Sequence, residues 1–347
     1  MIIKKSGIVE QVIADRTGAQ EIEVVADNEH RYAINYPALT GIVKVGDRVI
    51  LNTTATALNL GTGGFDFVIH IDRQDVPTQT NGHLMKLRYT PLQFGMQAGE
   101  EKYADLMPEG LDGTPVIACC LHSQIASVAF AVRSIRPNAI IAYVMTDTAS
   151  LPLGFSKLVP ALKEAGMLSG VITCGQAFGG DIEAVNVYSA LLLAKCALKA
   201  DVIIVSQGPG NVGTGTPWGF SAVDQGQTLN ATASLEGKPI CCLRIGFADK
   251  RQRHVGISHH SITVLKQIAL SRCLIPLPSL PKEQMQSILT EIKDSCLTET
   301  HDIRVVDTDG VFEELIMSGL PLSTMGRTPK DDPAFFKACL AAGLVLE

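Results

Sequence analysis

The sequence predicts an α/β protein with two domains: a small all-β, barrel-like domain, followed by a Rossmann-like domain with a mostly parallel, three-layer sheet. Two observations predict this fold. Up to residue 73, short β-branched runs are separated by turn signals such as Val45-Gly46-Asp47, a spacing typical of small barrels and sandwiches. From Pro115 onward, apolar runs alternate with helical patterns, which favours a parallel sheet covered on both faces.

The first domain is predicted to span residues 1–73, and residues 74–113, which have no clear period, are predicted to be a linker or covering segment. Within the first domain, the stretch Asn52–Gly64 is rich in Thr, Asn and Gly and is predicted to be a loop. The predicted strands are Ile8-Val9, Ile22–Val25, Arg31–Asn35, Gly41–Val43, Arg48–Leu51 and Phe65–Ile71.

The second domain is predicted to span residues 114–347, with caps at Ser258 and Asp332. Its predicted strands are Val116–Leu121, Ala139–Met145, Val171–Cys174, Asp201–Ser206, Pro239–Ile245 and Ile303–Val306. Its predicted helices are Ser123–Ser134, Leu153–Ala165, Ile182–Leu198, Ser258–Ser271, Lys282–Ser295, Val311–Ser318 and Pro333–Ala342. Loops that follow parallel strands gather at one edge of the sheet, where ligands bind, so the polar loops after these strands are the candidate sites.

Composition narrows the class of protein. The formal charge of −6 argues against a nucleic-acid surface, which needs clustered Lys and Arg. The N-terminus lacks a signal-peptide pattern, no apolar run reaches transmembrane length, and most of the nine cysteines lie in apolar runs. We therefore expect a cytoplasmic protein with reduced thiols and no membrane partner, and its oligomeric state is left open.

The loop Gly208–Gly213 matches GxGxxG and follows a predicted strand, but Pro209 removes an amide donor and no acidic residue ends the next strand. We expect an anion-binding loop instead of a dinucleotide site, and a tight turn is the alternative. The anion-binding candidates are Gly208, Gly210, Asn211, Gly213, Thr214 and Thr216, with Arg251 and Arg253.

Three acidic residues are candidates for proton transfer or metal binding. Asp181 and Glu183 are predicted at the start of a helix, where capping explains them equally well. Carboxylates near a sheet edge are also suited to Mg²⁺ binding or to acid–base chemistry. Asp147 follows a predicted strand, where its alternative role is to cap a turn.

Three of the eight histidines fall within His254–His260. His259 and His260 would occupy the first turn of a helix capped by Ser258, where the helix dipole favours neutral imidazole. Neutral imidazoles are suited to metal ligation or to hydrogen bonding with an anion, and a structural polar network is the alternative. The candidate metal ligands are Asp181, Glu183, His259 and His260, and the catalytic candidates are Asp147, Asp181, Glu183, His254 and His259.

The combined motifs resemble an uncharacterised bacterial family, domain of unknown function 3866. The strings that carry the resemblance are Met145-Thr-Asp147, Ala177–Asn186, Gly208–Thr216, Gly256–His260, Asn52-Thr-Thr-Ala and Leu60–Gly64. The resemblance implies no activity, cofactor or catalytic residue.

We expect an enzyme, a hydrolase or group transferase that acts on an anionic or phosphorylated small molecule; its cofactor is left open, and a divalent metal ion is one candidate. In this interpretation the Gly208–Thr216 loop binds the anion and the acidic and histidine residues supply ligands or proton transfer. The alternative is a non-catalytic sensor of a nucleotide-like ligand.

Overall fold

The computed structural model describes residues 2–61, 63–73 and 82–346. Residue 62 of the predicted loop Asn52–Gly64 and residues 74–81 of the predicted linker lie outside the described residues. The chain divides into two compact units. The first comprises Met1–Met96 with Pro152–Ser156, and the second comprises Gln97–Leu151 with Lys157–Glu347.

The first unit is built on a closed five-stranded barrel, which confirms the predicted barrel-like domain. Alternate residues point inward, so Val9, Ile22, Val24, Val49 and Leu51 form the apolar interior. Around the barrel the strands are ordered β1, β2, β3, β5 and β4, and only β3 and β5 are parallel. Its elements are β1 (Lys4–Arg16), β2 (Ala19–Ala26), β3 (Glu29–Asn35), α1 (Pro37–Thr40), β4 (Arg48–Asn52), α2 (Thr54–Ala57), β5 (Asp66–Ile71), β6 (Leu84–Lys86) and β7 (Phe94–Met96).

A short, distant piece of the chain completes this unit. Within Pro152–Ser156, the Phe155 ring lies 6.3 Å from the Phe67 ring, and Arg16 donates a hydrogen bond to the Gly154 carbonyl. Phe155 also packs against the small apolar cluster around Ile34 and Tyr36.

The prediction of a strand at Gly41–Val43 is wrong. Side chains, and not a neighbouring strand, form the hydrogen bonds with the backbone of this segment. Asn35 Nδ2 donates to the Gly41 carbonyl at 2.8 Å, and the Val43 amide donates to Gln20 Oε1 at 2.8 Å. The preceding helix ends at Gly41, whose φ of 83° favours glycine. The chain therefore crosses this end of the barrel as a loop.

The second unit contains an eight-stranded sheet in which every pairing is parallel, and this confirms the Rossmann-like α/β prediction. Its order is β11-β10-β9-β12-β8-β13-β16-β17, and β14 and β15 form a separate short hairpin. The strands are β8 (Pro115–Cys119), β9 (Ile141–Thr146), β10 (Gly170–Cys174), β11 (Ile182–Ala184), β12 (Val202–Gln207), β13 (Lys238–Cys242), β14 (Ile245–Gly246), β15 (Gly256–Ile257), β16 (Leu274–Pro278) and β17 (Asp302–Val306).

Helices cover the sheet, and the central strands are buried along their whole length. α4 packs against α12, and α6 packs against α7. The helices are α3 (Gly99–Lys102), α4 (Ile125–Ile135), α5 (Leu158–Glu164), α6 (Val187–Cys196), α7 (Asp224–Ser234), α8 (His259–Thr263), α9 (Lys282–Asp294), α10 (Leu297–Thr300), α11 (Asp309–Met317) and α12 (Pro333–Leu344). Among the described residues, no helix combines the length and the apolar character needed to cross a membrane.

The predicted helix Ile182–Leu198 begins five residues late, because the chain first forms β11 beside β10. The helix starts only after Asn186, whose side chain accepts the Ser189 amide at 3.1 Å. The returning chain passes close to β10 at Gly180, where a Cβ would lie 2.8 Å from the Thr173 nitrogen. This close approach explains a glycine in the Phe178–Asp181 loop without a ligand.

Besides several very short elements, α7 and β16 have no counterpart in the sequence prediction. α7 is composed mainly of polar and small residues, so its apolar periodicity is weak. β16 contains Pro276 and Pro278, which argue against a strand. β16 tolerates them because it pairs with β13 only between Leu274 and Ile240.

Candidate functional site

The three histidines of the His254–His260 segment are brought together by a short hairpin beyond β13. Strands β14 and β15 pair Ile245 with Ile257, which places the 3-10 turn Gln252–His254 beside the start of α8. The Ser258 amide donates to the Arg244 carbonyl at 2.8 Å and anchors α8 to the end of β13. Ser258 Oγ accepts the His260 amide at 3.3 Å, so the predicted cap at Ser258 is confirmed.

The side chains of His254, His259 and His260 form a compact cluster, which we call the histidine cluster. One ring nitrogen of each lies within 4.8 Å of one from each of the others. His254 Nδ1 is 2.7 Å from Ser258 Oγ, which leaves His254 Nε2 for another partner. His259 Nε2 and His260 Nδ1 are buried and have no hydrogen-bond partner among the described residues. Buried polar nitrogens without protein partners are rare, so these two ring nitrogens are candidates to bind a ligand.

Local packing fixes the cluster. The His260 ring stacks on Phe220, with ring centroids 3.9 Å apart and planes 5° from parallel. A Cβ on Gly213 would lie 3.6 Å from His260 Cε1, so the glycine-rich loop runs directly beside this ring. α8 continues without a break into a π-helical turn, Val264–Ile268, a rare geometry that is frequent at functional sites.

All three imidazoles are neutral over the physiological pH range. Burial, followed by the charges of Arg244 and Arg251, lowers the pKa of His254 to about 3. Burial, followed by the other two histidines, lowers the pKa of His260 to about 3, and burial also lowers the pKa of His259. A neutral imidazole keeps a lone pair for a metal ion, so the cluster does not need deprotonation before it can bind one.

Positive charge surrounds the cluster. Arg244, Arg251 and Arg327 all contact Asp249, at 3.2, 2.9 and 3.6 Å. The hydrogen bonds from Arg251, together with the neighbouring guanidinium groups, hold the pKa of the Asp249 carboxyl well below its usual range. Three guanidinium groups share this carboxylate, so the region carries an excess of positive charge beside the histidines.

Arg253 extends this positive region toward the glycine-rich loop. A Cβ on Gly215 would lie 3.7 Å from Arg253 Nη1, and Arg253 makes no ion pair with any described residue. The loop keeps its own shape: Thr214 Oγ1 and Thr216 Oγ1 are 2.9 Å apart, and the Gly219 amide donates to Thr216 Oγ1. Of the predicted anion-binding residues, Gly213 lies beside His260 and Arg253 lies beside Gly215, whereas the two threonine hydroxyls stabilise the loop.

The first half of the loop faces a different part of the sheet edge. Gly208, Gly210 and Asn211 line a pocket whose walls include His122 but no member of the histidine cluster. Asn211 Oδ1 accepts hydrogen bonds from Gln207 and Ser221, both at 2.8 Å, so its carbonyl oxygen has a structural role.

Asp181 and Glu183 are not placed for the predicted metal site with His259 and His260. Asp181 precedes β11, at the amino end of the sheet, where Lys163 Nζ contacts both its oxygens and the Val171 amide contacts one. Glu183 is buried and accepts hydrogen bonds from Thr173 and Gly179. β11 lies three strand positions from β12, which is about 14 Å at the usual strand spacing. The metal-site prediction for these two carboxylates is therefore corrected: the structure separates them from the histidines and gives them structural partners.

Asp147 lies at the carboxyl end of β9, close to a second carboxylate that the sequence did not single out. Its Oδ2 accepts the Gln176 amide at 2.7 Å. Asp224, at the start of α7, accepts a hydrogen bond from Thr146. Burial, opposed by the Thr146 bond and reinforced by the Asp147 charge, raises the pKa of Asp224.

This shift predicts how Asp224→Asn changes stability. Because the pKa is raised in the folded protein, the folded state binds the proton more tightly than the unfolded chain, and wild-type stability falls as the pH rises above about 4. The slope from one such group is at most about 1.4 kcal/mol per pH unit. Urea unfolding between pH 4 and 7 is therefore expected to show a growing advantage for Asp224→Asn. The exposed Asp294→Asn variant serves as the control, and its free energy of unfolding is expected to follow that of wild type at every pH. If the two variants showed the same pH dependence, the raised pKa of Asp224 would be contradicted.

A family model described as a protein of unknown function (DUF3866) matches residues 32–343. The chain belongs to the DUF3866 family. A search of the curated proteins finds no match.

In this DUF3866 protein, several residues around the histidines are not among the predicted site residues. Arg244, Asp249 and Arg327 form the charged network, and Phe220 supports His260. Arg244 and Asp249 lie in the same polar segment as the histidines, which was the available signal. No local signal marks Phe220 or Arg327, because they approach the cluster only through the fold.

Proposed function

We propose that this DUF3866 protein is a metal-dependent enzyme, a hydrolase or group transferase, that acts on an anionic small molecule at the carboxyl edge of the parallel sheet. The observation that carries the proposal is the histidine cluster with its two buried, unpartnered ring nitrogens. Three histidine ligands are typical of catalytic zinc sites, where the fourth position is open to water or substrate.

The geometry of the cluster suits such an ion. Tetrahedral zinc with nitrogen ligands at 2.0–2.1 Å needs ring nitrogens about 3.3 Å apart, and here they lie within 4.8 Å of one another. The ring nitrogens would therefore have to approach one another when an ion binds. Ser258 Oγ lies 2.7 Å from His254 Nδ1 and is the kind of outer partner that orients histidine ligands in metal sites.

The surrounding charges favour an anionic substrate. Arg253 is exposed beside Gly215 and has no carboxylate partner among the described residues, so its planar donor group is available for a phosphate or carboxylate. Arg253 and the adjacent loop would orient the anion beside the histidines. A bound divalent ion would supply Lewis acidity and a lowered pKa of water.

Metal content and turnover test the proposal. The protein would be purified without a polyhistidine tag, stripped with chelator and titrated with Zn²⁺ and with Co²⁺, whose visible spectrum reports tetrahedral nitrogen ligation. We expect one ion per chain and metal-dependent cleavage within a panel of phosphorylated and carboxylated metabolites. Failure to bind either ion would overturn the metal site, whereas binding of metal and anion without turnover would overturn the enzyme and support the sensor interpretation.

A further inference from the structure

The chain topology places a crevice between β8 and β12. These strands are neighbours in the sheet, but β8 leads through α4 to β9, whereas β12 leads through α7 to β13. The two connections run in opposite directions along the sheet, and right-handed crossovers of opposite direction lie on opposite faces, so the two loops leave the strands toward opposite faces. Ligands of open α/β sheets bind at such a switch point.

A pocket of about 240 Å³ lies at this point, and we call it the crevice pocket. Its walls include His122 and Ser123 after β8 and the segment Gly208–Asn211 after β12. Ser323 and Thr324, from the segment between α11 and α12, complete it. The volume is slightly below the range of about 300–1,000 Å³ that encloses drug-sized ligands, so a smaller molecule fits.

The lining of the crevice pocket defines the chemistry of its ligand. Among the described residues that line it, none is Asp, Glu, Lys or Arg. Burial lowers the pKa of His122 to about 4, so this ring is neutral as well. The polar groups are hydroxyls, a carboxamide and loop amides, and they lie beside the apolar side chains of Leu121, Leu158 and Met325. Hydroxyls that both donate and accept, next to apolar carbon, suit an uncharged polyol better than an anion.

The crevice pocket lies close to the histidine cluster along one loop. Asn211 lines the pocket, and Gly213 is packed beside His260. Two residues of extended chain span at most about 7 Å, so a small molecule can reach both places.

We infer that the crevice pocket binds the uncharged, hydroxylated part of the substrate, so that the substrate is a polyol or sugar bearing an anionic group. This inference rests on the proposed function, in which the histidine cluster and Arg253 bind the anionic end. In this arrangement the two halves of the Gly208–Thr216 loop contact different parts of the substrate. Gly208–Asn211 face its hydroxylated part, and Gly213–Gly215 face its anionic group.

A variant that fills the pocket tests this inference. Ser323 is exposed, so Ser323→Phe adds a ring to the pocket wall without entering the core, and Ser318→Phe, at an exposed serine after α11, is the matched control. The probes are D-ribose 5-phosphate, D-glucose 6-phosphate, sn-glycerol 3-phosphate, D-ribose, inorganic phosphate and Zn²⁺, each measured by calorimetry. We expect wild type and Ser318→Phe to bind at least one phosphorylated polyol more than about tenfold tighter than inorganic phosphate, a preference worth about 1.4 kcal/mol.

Ser323→Phe is expected to lose this preference while its affinities for inorganic phosphate and Zn²⁺ stay unchanged. Ser123→Ala removes one hydroxyl and adds no volume, and we expect it to weaken the same probe about fivefold, the usual effect of one neutral hydrogen bond. Full preference in Ser323→Phe, or equal binding of inorganic phosphate and every phosphorylated polyol, would overturn the inference. If wild type bound D-ribose but not Zn²⁺, the proposed function would be overturned, whereas the assignment of the crevice pocket to a hydroxylated ligand would be retained.

Discussion

Replacing His254 by alanine is expected to weaken zinc binding by more than about 100-fold. The loss of an outer partner alone typically weakens metal affinity 10- to 100-fold, and His254 is a proposed direct ligand. The remaining pair, His259 and His260, would offer two protein ligands instead of the three that catalytic zinc sites use, so we expect them to hold the ion weakly. Competition with a zinc chelator of known affinity measures the change.

The matched control is His70→Ala, which removes an exposed histidine from β5 of the barrel. Zinc is expected to raise the melting temperature of wild type and His70→Ala equally, because an ion that binds only the folded state stabilises it by mass action. Ser258→Ala removes the His254 partner and the α8 cap together, and we expect zinc affinity to fall about 10- to 100-fold. Unchanged zinc affinity in His254→Ala would show that the histidines form a structural network.

Asp249→Asn is expected to destabilise the folded protein by about 3–5 kcal/mol, since removal of one partner from a buried ion pair leaves the other charge uncompensated. The side chains of Asp249 and Arg244 are only 5% and 6% exposed, Arg251 contacts the same carboxylate, and Arg327 is shared between Asp249 and Asp332. Urea unfolding at neutral pH measures the loss.

The comparison variant is Asp302→Asn, which breaks an exposed ion pair. The side chains of Asp302 and Arg272 are 62% and 52% exposed. Exposed pairs contribute at most about 1 kcal/mol, so this variant is expected to unfold close to wild type. If Asp249→Asn and Asp302→Asn lost similar stability, the contacts of Asp249 with Arg244, Arg251 and Arg327 would contribute no more than an exposed ion pair.

Patterns that depend on neighbours in the chain predicted much of the fold. Apolar runs of six residues or so, such as Ile141–Thr146, identify buried parallel strands, and the alternation of strands and helices follows from them. Ser258 was recognised as a cap because capping acts within one helical turn. The proximity of three histidines in the sequence also carried through to the structure, because a hairpin and a helix start hold them within one short segment.

Long-range contacts decided the rest. β16 and α7 lack strong local signals and are stabilised by the sheet around them, so tertiary packing overrides their weak propensity. The Asp181–Glu183 segment has the composition of a helix start, yet pairing with β10 makes it a strand and points its carboxylates at Lys163 and Thr173. The crevice pocket combines residues that are about 200 positions apart, as Ser123 and Thr324 show with their 3.1 Å hydrogen bond.

Because Pro152–Ser156 belong to the barrel unit, no truncation at a single position yields the complete barrel unit by itself. A chain shortened to begin at Gln97 would retain Phe155 and Gly154 but lose Phe67 and Arg16, their partners. A chain ending at Met96 would lack the same strip. Deletion of residues 1–96 is therefore expected to expose Phe155, which loses its contacts with Phe67 and with the cluster around Ile34 and Tyr36, in addition to removing the barrel.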